Sequence, residues 1–190
     1  MHAWAWALIL FSFSIAQTPV HAMEIPRAIE GKNLADASTI SISIPENPHD
    51  GAKLTVVAFL SARCPCSASH EPSLAALSKE FGKEARFVGI HSNADESEQE
   101  SSEHFKKSAL PFPVIQDPGA KLANQFGAVK TPHVFVLAKN GDILFQGGMD
   151  NSHDAARASH EYLKAALEDL RAGRTPQTTL ARSIGCAIRR

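Results

Sequence analysis

The feature that most constrains the fold of this chain is an apolar run, Leu54–Leu60, that leads directly into Cys64-Pro65-Cys66. Runs of this length that are rich in β-branched and aromatic residues are typical of central strands buried on both faces of a sheet. Beyond the cysteines, Leu74, Leu77 and Phe81 recur on one helical face, and a glycine ends the pattern. The sequence therefore predicts that Cys64 lies where a buried strand gives way to a helix.

Strand and helix patterns alternate along the rest of the chain. Two β-rich runs flank Asn140-Gly141, which is the strongest local signal for a hairpin. The other predicted elements are a buried strand at Arg86–His91, an exposed amphipathic helix at Asp95–Leu110, a short helix at Pro118–Phe126 and a last helix at Asp154–Ala172. This order predicts an α/β fold, with a mixed sheet, helices on both of its faces and a helical insertion.

Charge gives little reason to expect a polyanionic partner. The 190-residue chain has 19 Lys and Arg against 20 Asp and Glu. We therefore expect neither a nucleic acid nor an anionic membrane surface as a partner. The acidic run Asp95–Glu103 is interpreted as a solvated helix face.

The first 22 residues contain no Asp, Glu, Lys or Arg. Ala3–Ile15 is apolar but too short to cross a bilayer, and Val20-His21-Ala22 resembles a signal peptidase site. Residues 1–22 are therefore predicted to be a signal peptide, and the protein to be secreted or periplasmic. An uncleaved amino-terminal anchor is the alternative, and no stable membrane span is expected after cleavage.

The remaining chain divides into three predicted parts. Residues 23–50 form a polar approach, in which the alternation Ser41-Ile42-Ser43-Ile44 indicates a peripheral strand or hairpin. Residues 51–173 form the main domain. Residues 174–190 form an irregular tail that contains Cys186.

Four segments, in order, resemble the redoxin, or peroxiredoxin-like, branch of the thioredoxin superfamily, and the resemblance runs from about Leu54 to Arg190. The segments are Cys64-Pro65 after the buried strand, Gly89-Ile90-His91-Ser92-Asn93, the Thr131-Pro132 pair within Val129–Phe135, and Ile184-Gly185-Cys186-Ala187-Ile188 near the carboxyl end. The resemblance implies a thioredoxin-like fold and thiol–disulfide exchange, without a cofactor. Pro72, eight residues after Cys64, matches a helix-kinking proline of thioredoxins and gives Cys64 the position of the attacking thiol.

The resemblance also implies where a substrate docks. In thioredoxin-like proteins the proline that corresponds to Pro132 is cis and faces the active cysteine. By resemblance, the backbone of Thr131 pairs with an extended substrate segment while the substrate disulfide meets Cys64. Pro65 is assigned with Thr131 and Pro132 to the substrate-contacting residues.

A thiolate at Cys64 is expected because a helix amino terminus presents free N–H groups and a partial positive charge. Arg63 would add a cation next to it. Ser67 stands where thioredoxins keep a second thiol, so the resolving thiol must be Cys66, Cys186 or a cysteine of the partner. A Cys64–Cys66 disulfide would be strained, whereas the tail motif suggests that Cys186 folds back over the site.

Two other functions stay open at this stage. A thiol peroxidase matches Ser61, three residues before Cys64, but Val57 stands where the peroxidases have a proline, and their peroxide-polarising arginine is missing. A copper-handling protein would use Cys64, Cys66, His70 and His133, because soft thiolates with imidazole suit Cu(I). The expected partners are a disulfide-containing protein or a small thiol or peroxide, together with a thiol electron donor.

Overall fold

Strands and helices alternate along residues 25–44 and 53–190, the part of the chain that the computed structural model describes. The predicted signal peptide, residues 1–22, lies outside the described residues. The strands are β1 (Ala28–Lys32), β2 (Thr39–Ser43), β3 (Leu54–Leu60), β4 (Ala85–His91), β5 (Val114–Gln116), β6 (Lys130–Thr131), β7 (His133–Ala138), β8 (Ile143–Gly147) and β9 (Cys186–Ala187). The α-helices are α1 (Pro65–Glu80), α2 (Glu98–Ser108), α3 (Lys121–Phe126) and α4 (Tyr162–Arg171). Within the described ranges, we find no helix with the length and hydropathy of a bilayer span.

The central sheet has five strands in the order β5-β4-β3-β7-β8. Strand β3 pairs in parallel with β4 and antiparallel with β7, so the predicted mixed sheet is confirmed. The hairpin around Asn140-Gly141 is also confirmed, because β7 and β8 pair antiparallel across it. The alternating segment 41–44 contributes to β2, which pairs with β1 as a separate two-stranded sheet.

Alternate side chains of β3 enter the two halves of the core. Ala58 and Leu60 pack with apolar residues of α1, α2 and α4 on one face. Phe59, on the opposite face, packs with α3 and with the β1–β2 hairpin. The ring centroids of Phe59 and Phe126 lie 5.6 Å apart in an edge-on contact. Both faces of β3 are thus buried, as its unbroken apolar sequence predicts.

The last helix is shorter than its sequence pattern. It was predicted to begin at Asp154 but begins at Tyr162, and only a 3₁₀ turn forms at Ala155–Arg157. The side chain of Asn151 accepts hydrogen bonds from the backbone N–H groups of Ser159 and His160. Such local bonds compete with the helical ladder, and they explain the late start.

Candidate active site

Cys64 lies at the junction between β3 and α1. It is the N-cap residue of α1, and Pro65 occupies the first helical position, where a missing N–H costs nothing. The Cys64 backbone N–H donates to Ser61 Oγ at 3.0 Å. Cys64 is buried, with 2% of its surface exposed. Cys64 therefore lies at the strand-to-helix junction that the sequence predicts.

Opposing effects act on the Cys64 thiol. Burial by itself raises its pKa, but the neighbouring Cys186 thiol and the Ser67 backbone N–H favour the thiolate. The thiol can also donate to the Thr131 carbonyl oxygen at 3.2 Å, a contact that favours the protonated form. The net result is a Cys64 pKa below the ordinary value of a thiol. Cys64 therefore has the electrostatic character of a nucleophile.

The carboxyl-terminal tail folds back over the site. Strand β9 pairs antiparallel with β6, and this register sets Cys186 opposite Thr131. The Cys186 and Cys64 thiols line the same small cleft, and each shifts the pKa of the other. Partial burial, followed by the interaction with the Cys64 thiol and its charge, raises the pKa of Cys186 to about 11. The tail thus brings a protonated thiol against the depressed-pKa thiol of Cys64.

The tail beyond Cys186 is held on both sides. Ile188 is buried, and its N–H donates to Val129 O at 3.0 Å. The Arg189 N–H donates to Asn93 Oδ1, and the Ala94 N–H donates to Arg189 O at 2.8 Å. These contacts place the tail between β6 and the loop after β4.

Gly185 permits the close approach of the tail. Its φ of 147° is a conformation that residues with a side chain rarely adopt. A Cβ at this position would overlap the Thr131 carbonyl oxygen. The glycine of the tail motif is therefore required by the pairing itself.

Cys66 lines a cleft together with Cys186, but its thiol contacts the tail backbone. Its thiol donates to Ile184 O at 3.3 Å. Burial, followed by the negative charges of Cys64 and Asp150, raises the pKa of Cys66 to about 11. Cys66 therefore lies near Cys64, but its hydrogen-bonding partner is the tail backbone.

The Thr131–Pro132 peptide bond is cis, and Thr131 O faces Cys64. The backbone edge of Thr131 that was expected to receive a substrate segment is paired here with Cys186. Pro65 is exposed and lies on the wall of a cleft beside Cys186.

Glu96 is the functional residue that the sequence did not reveal. The acidic run was interpreted as solvated, and for Glu96 this is wrong, because its side chain is only 3% exposed. One of its carboxylate oxygens, Oε1, accepts from Ser61 Oγ and Asn93 Nδ2, both at 2.5 Å. The other, Oε2, accepts from the Ala62 N–H at 2.7 Å, the His91 Nε2–H at 3.0 Å and the Arg63 N–H at 3.3 Å.

The Glu96 carboxylate thus ties the loop before Cys64 to the end of β4. Burial raises its pKa, but the hydrogen bonds from His91, Ser61 and Asn93 prevail and lower the pKa to about 2. One feature of the sequence distinguishes Glu96 from the solvated members of the acidic run. Ser97 is the N-cap of α2, so Glu96 precedes the helix and cannot belong to its solvated face.

Arg63 does not supply the cation expected beside the sulfur. Its guanidinium forms two hydrogen bonds of 2.6 Å with the Glu100 carboxylate and one of 2.9 Å with Asp95 O. The depressed pKa of Cys64 has its leading causes in Cys186 and Ser67 instead.

The geometry does not favour the copper-handling alternative. His70 Nδ1 contacts Cys66 O at 2.6 Å, and His70 Nε2 contacts Asp150 Oδ2 at 2.9 Å, so both ring nitrogens are engaged. His133 is buried and stacks on Phe135, and burial lowers its pKa to about 4. Among residues 25–44 and 53–190, no group of three or more His, Cys, Asp or Glu side chains could hold a metal ion.

The peroxidase alternative also lacks support from Ser61. Its hydroxyl accepts from the Cys64 N–H and donates to Glu96. A hydroxyl engaged in this way holds the loop and is not directed at a peroxide above the sulfur.

Two clefts flank Cys186. The larger, of about 550 Å³, is lined by Pro65, Cys66, Ser69, His153, Asp154, Gly185 and Cys186. The smaller, of about 140 Å³, is lined by Ser61, Arg63, Cys64, Asn93, Asp95, Glu96, Cys186, Ala187 and Arg189. Cys186 therefore borders both clefts, whereas Cys64 borders only the smaller one.

Comparison with known proteins identifies a family and similar folds. The Redoxin family model matches residues 24–163. An uncharacterized conserved protein from Geobacillus kaustophilus is 25% identical with a TM-score of 0.73, over 88% of this chain and 90% of that one. A hypothetical protein from Sinorhizobium meliloti 1021 is 22% identical with a TM-score of 0.74, over 90% and 95% of the two chains.

A thiol-disulfide oxidoreductase from Bacteroides fragilis is 19% identical with a TM-score of 0.52, over 65% of this chain and 88% of that one. Comparison with curated protein sequences finds no match.

Proposed function

This chain belongs to the Redoxin family, and we propose that it is a thiol–disulfide oxidoreductase whose redox couple consists of Cys64 as nucleophile and Cys186 as resolving thiol. The observation that supports the proposal is the pairing of β9 with β6, which sets Cys186 opposite Thr131 and on the same cleft as Cys64. The pKa of the Cys64 thiol is depressed and that of the Cys186 thiol is raised. A nucleophile is reactive as the thiolate, and its neighbour can hold the proton.

In the first step, the Cys64 thiolate attacks one sulfur of a substrate disulfide. A bond forms between Cys64 and that sulfur, the substrate S–S bond breaks, and the other substrate sulfur leaves as a thiolate. Because Cys64 is covered by the tail, this step requires local movement of β9 away from β6.

In the second step, Cys186 loses its proton to the departing substrate thiolate and attacks the Cys64 sulfur of the mixed disulfide. The products are the reduced substrate and a Cys64–Cys186 disulfide. Two electrons have passed from the protein to the substrate. A thiol donor then returns the couple to the dithiol state, and the whole sequence runs in reverse when the partner is a dithiol to be oxidised.

Substrate docking at Thr131, Pro132 and Pro65 is part of the proposal. When β9 leaves β6, the backbone of Thr131 becomes available to an extended segment in the register that Cys186 now occupies. The tail therefore resembles a bound substrate strand, with its own sulfur placed against Cys64.

We further propose that the protein works outside the cytoplasm, in the secreted or periplasmic space. The apolar, uncharged segment 1–22 supports this placement. An oxidising compartment also suits a protein whose partners contain disulfides.

The test is reduction of insulin disulfides in the presence of dithiothreitol. Cys64→Ser should reduce the catalysed rate to the background, because the remaining thiols have raised pKa values. Full activity in this variant would remove Cys64 from the mechanism. Hydrogen peroxide consumption, measured on the same preparation, should be slow by comparison, and a peroxide rate that exceeds the disulfide rate would favour the peroxidase alternative.

Cys66→Ser is the matched control. It removes the neighbouring thiol but keeps the Cys64–Cys186 pair, so we expect an intramolecular disulfide to form on oxidation. If Cys66→Ser forms no intramolecular disulfide and Cys186→Ser forms one between Cys64 and Cys66, then Cys66 is the resolving thiol.

A further inference from the structure

The two sulfurs of the proposed couple differ sharply in access. Cys64 is 2% exposed, whereas Cys186 is exposed. The tail residues that follow Cys186 are held by Ile188 in the core and by the loop at Asn93 and Ala94. With the tail in this position, an incoming thiol reaches Cys186 without any rearrangement, but it does not reach Cys64.

A thiol can reach Cys186 through the larger cleft, which Cys64 does not line. Its lining includes Pro65, Ser69, His153 and Cys186, and its volume of about 550 Å³ is in the range of small-ligand sites. Exchange at a disulfide requires the attacking sulfur to approach opposite the leaving sulfur. Because Cys186 lines this cleft and Cys64 does not, a thiol that enters the cleft meets Cys186 with Cys64 available as the leaving group.

We propose that the thiol that reduces the oxidised couple enters the larger cleft and attacks the Cys186 sulfur, and that Cys64 leaves as the thiolate. This inference rests on the proposed Cys64–Cys186 couple and assigns the point at which the electron donor acts. The larger cleft is therefore the donor site of the protein.

The electron count of this step is balanced. The donor thiolate forms a bond to Cys186, the Cys64–Cys186 bond breaks, and its electron pair stays on Cys64. A second donor thiolate attacks the donor sulfur of the mixed disulfide, which releases an oxidised donor disulfide, and Cys186 takes up a proton. Two donor thiols are oxidised to one disulfide, and the couple gains two electrons.

The properties of the leaving group support the same direction. In thiol–disulfide exchange, the sulfur whose thiol has the lower pKa leaves faster. The pKa of Cys64 is depressed and that of Cys186 is raised to about 11. Attack on Cys64 would instead expel the poorer leaving group.

The test starts from the full chain in the oxidised form. One arm uses reduced glutathione, and a second uses a thioredoxin that retains only its attacking cysteine, so the relative rates distinguish a small thiol from a protein thiol. Samples are quenched in acid within the first turnover, alkylated and mapped by mass spectrometry. We expect the mixed disulfide on Cys186 at least tenfold more often than on Cys64, and a majority on Cys64 would overturn the inference.

A pair of bulky variants tests the path. His153→Trp narrows the larger cleft at an exposed residue and should slow reduction of the couple by glutathione at least fivefold. Asp95→Trp places the same side chain at an exposed residue of the smaller cleft and should leave that rate within twofold. The inference is wrong if glutathione reduces the Asp95→Trp variant more slowly than the His153→Trp variant. It is also wrong if the His153→Trp variant is reduced as fast as the parent protein.

The proposed Cys64–Cys186 couple and the proposed donor site can be disproved separately. If the oxidised protein contains no Cys64–Cys186 disulfide, the proposed function and this inference both fall. If the disulfide forms but the donor is trapped on Cys64, only the donor site is wrong.

Discussion

Replacing Glu96 by glutamine should destabilise the protein by about 3 kcal/mol, because the carboxylate accepts hydrogen bonds on both oxygens from buried donors. A glutamine amide can accept on one side only. Its NH₂ group would face either Ser61 and Asn93, or Ala62, Arg63 and His91, and would leave at least two donors without an acceptor. Each such loss costs about 1–3 kcal/mol.

The depressed pKa, which the same hydrogen bonds cause, corresponds to a free energy of similar size. A fall from 4.5 to about 2 corresponds to about 3 kcal/mol at neutral pH. Because the folded pKa lies below the unfolded one, this stability is fully present above about pH 4.5 and is lost as the pH falls towards 2. The Glu96→Gln variant should lack this pH-dependent contribution to the free energy of unfolding.

The assay is urea unfolding of the reduced protein at pH 7, repeated between pH 5 and pH 2.5, with the melting temperature as a second readout. For a chain of this length, about 3 kcal/mol lowers the melting temperature by about 6–12 °C. Glu100→Gln is the control, since Glu100 forms a solvent-exposed ion pair with Arg63, and such pairs contribute little to stability. Equal unfolding free energies for Glu96→Gln and Glu100→Gln would refute the buried-anchor reasoning.

Two further predictions concern the neighbours of Cys64. Gly185→Ala should speed alkylation of Cys64 by iodoacetamide at least tenfold. The added Cβ overlaps Thr131 O, and the backbone strain of about 1–3 kcal/mol opposes pairing of the tail with β6. An unchanged alkylation rate would contradict the role of Gly185 in this pairing. Arg63→Ala should leave the pH dependence of Cys64 alkylation unchanged, because the guanidinium binds Glu100; a shift of that profile to higher pH would show that Arg63 acts on the sulfur after all.

The parts of the fold that follow from local pattern were predictable. The position of Cys64 follows from an apolar strand, a proline suited to the first helical turn and one helical face of leucines. The hairpin at Asn140-Gly141 follows from turn chemistry alone. Both features depend on neighbours in sequence, which a single chain displays directly.

Glu96 and the tail could not be predicted in the same way. The burial of Glu96 depends on donors from two other segments, the loop before Cys64 and the end of β4. An acidic run has the same sequence pattern whether or not one of its side chains is buried. Strand β9 has only two residues, too few for a periodic pattern, and its pairing partner lies far away in the sequence. The family resemblance indicated that Cys186 returns to the site, but its register opposite Thr131 required the structure.

The most direct test of the account is to map the disulfides of the oxidised full chain by mass spectrometry under non-reducing conditions. We predict a single intramolecular disulfide between Cys64 and Cys186, with Cys66 free. A disulfide between Cys64 and Cys66, or a Cys64 that remains unpaired while the other two cysteines are bonded, would contradict the central claim.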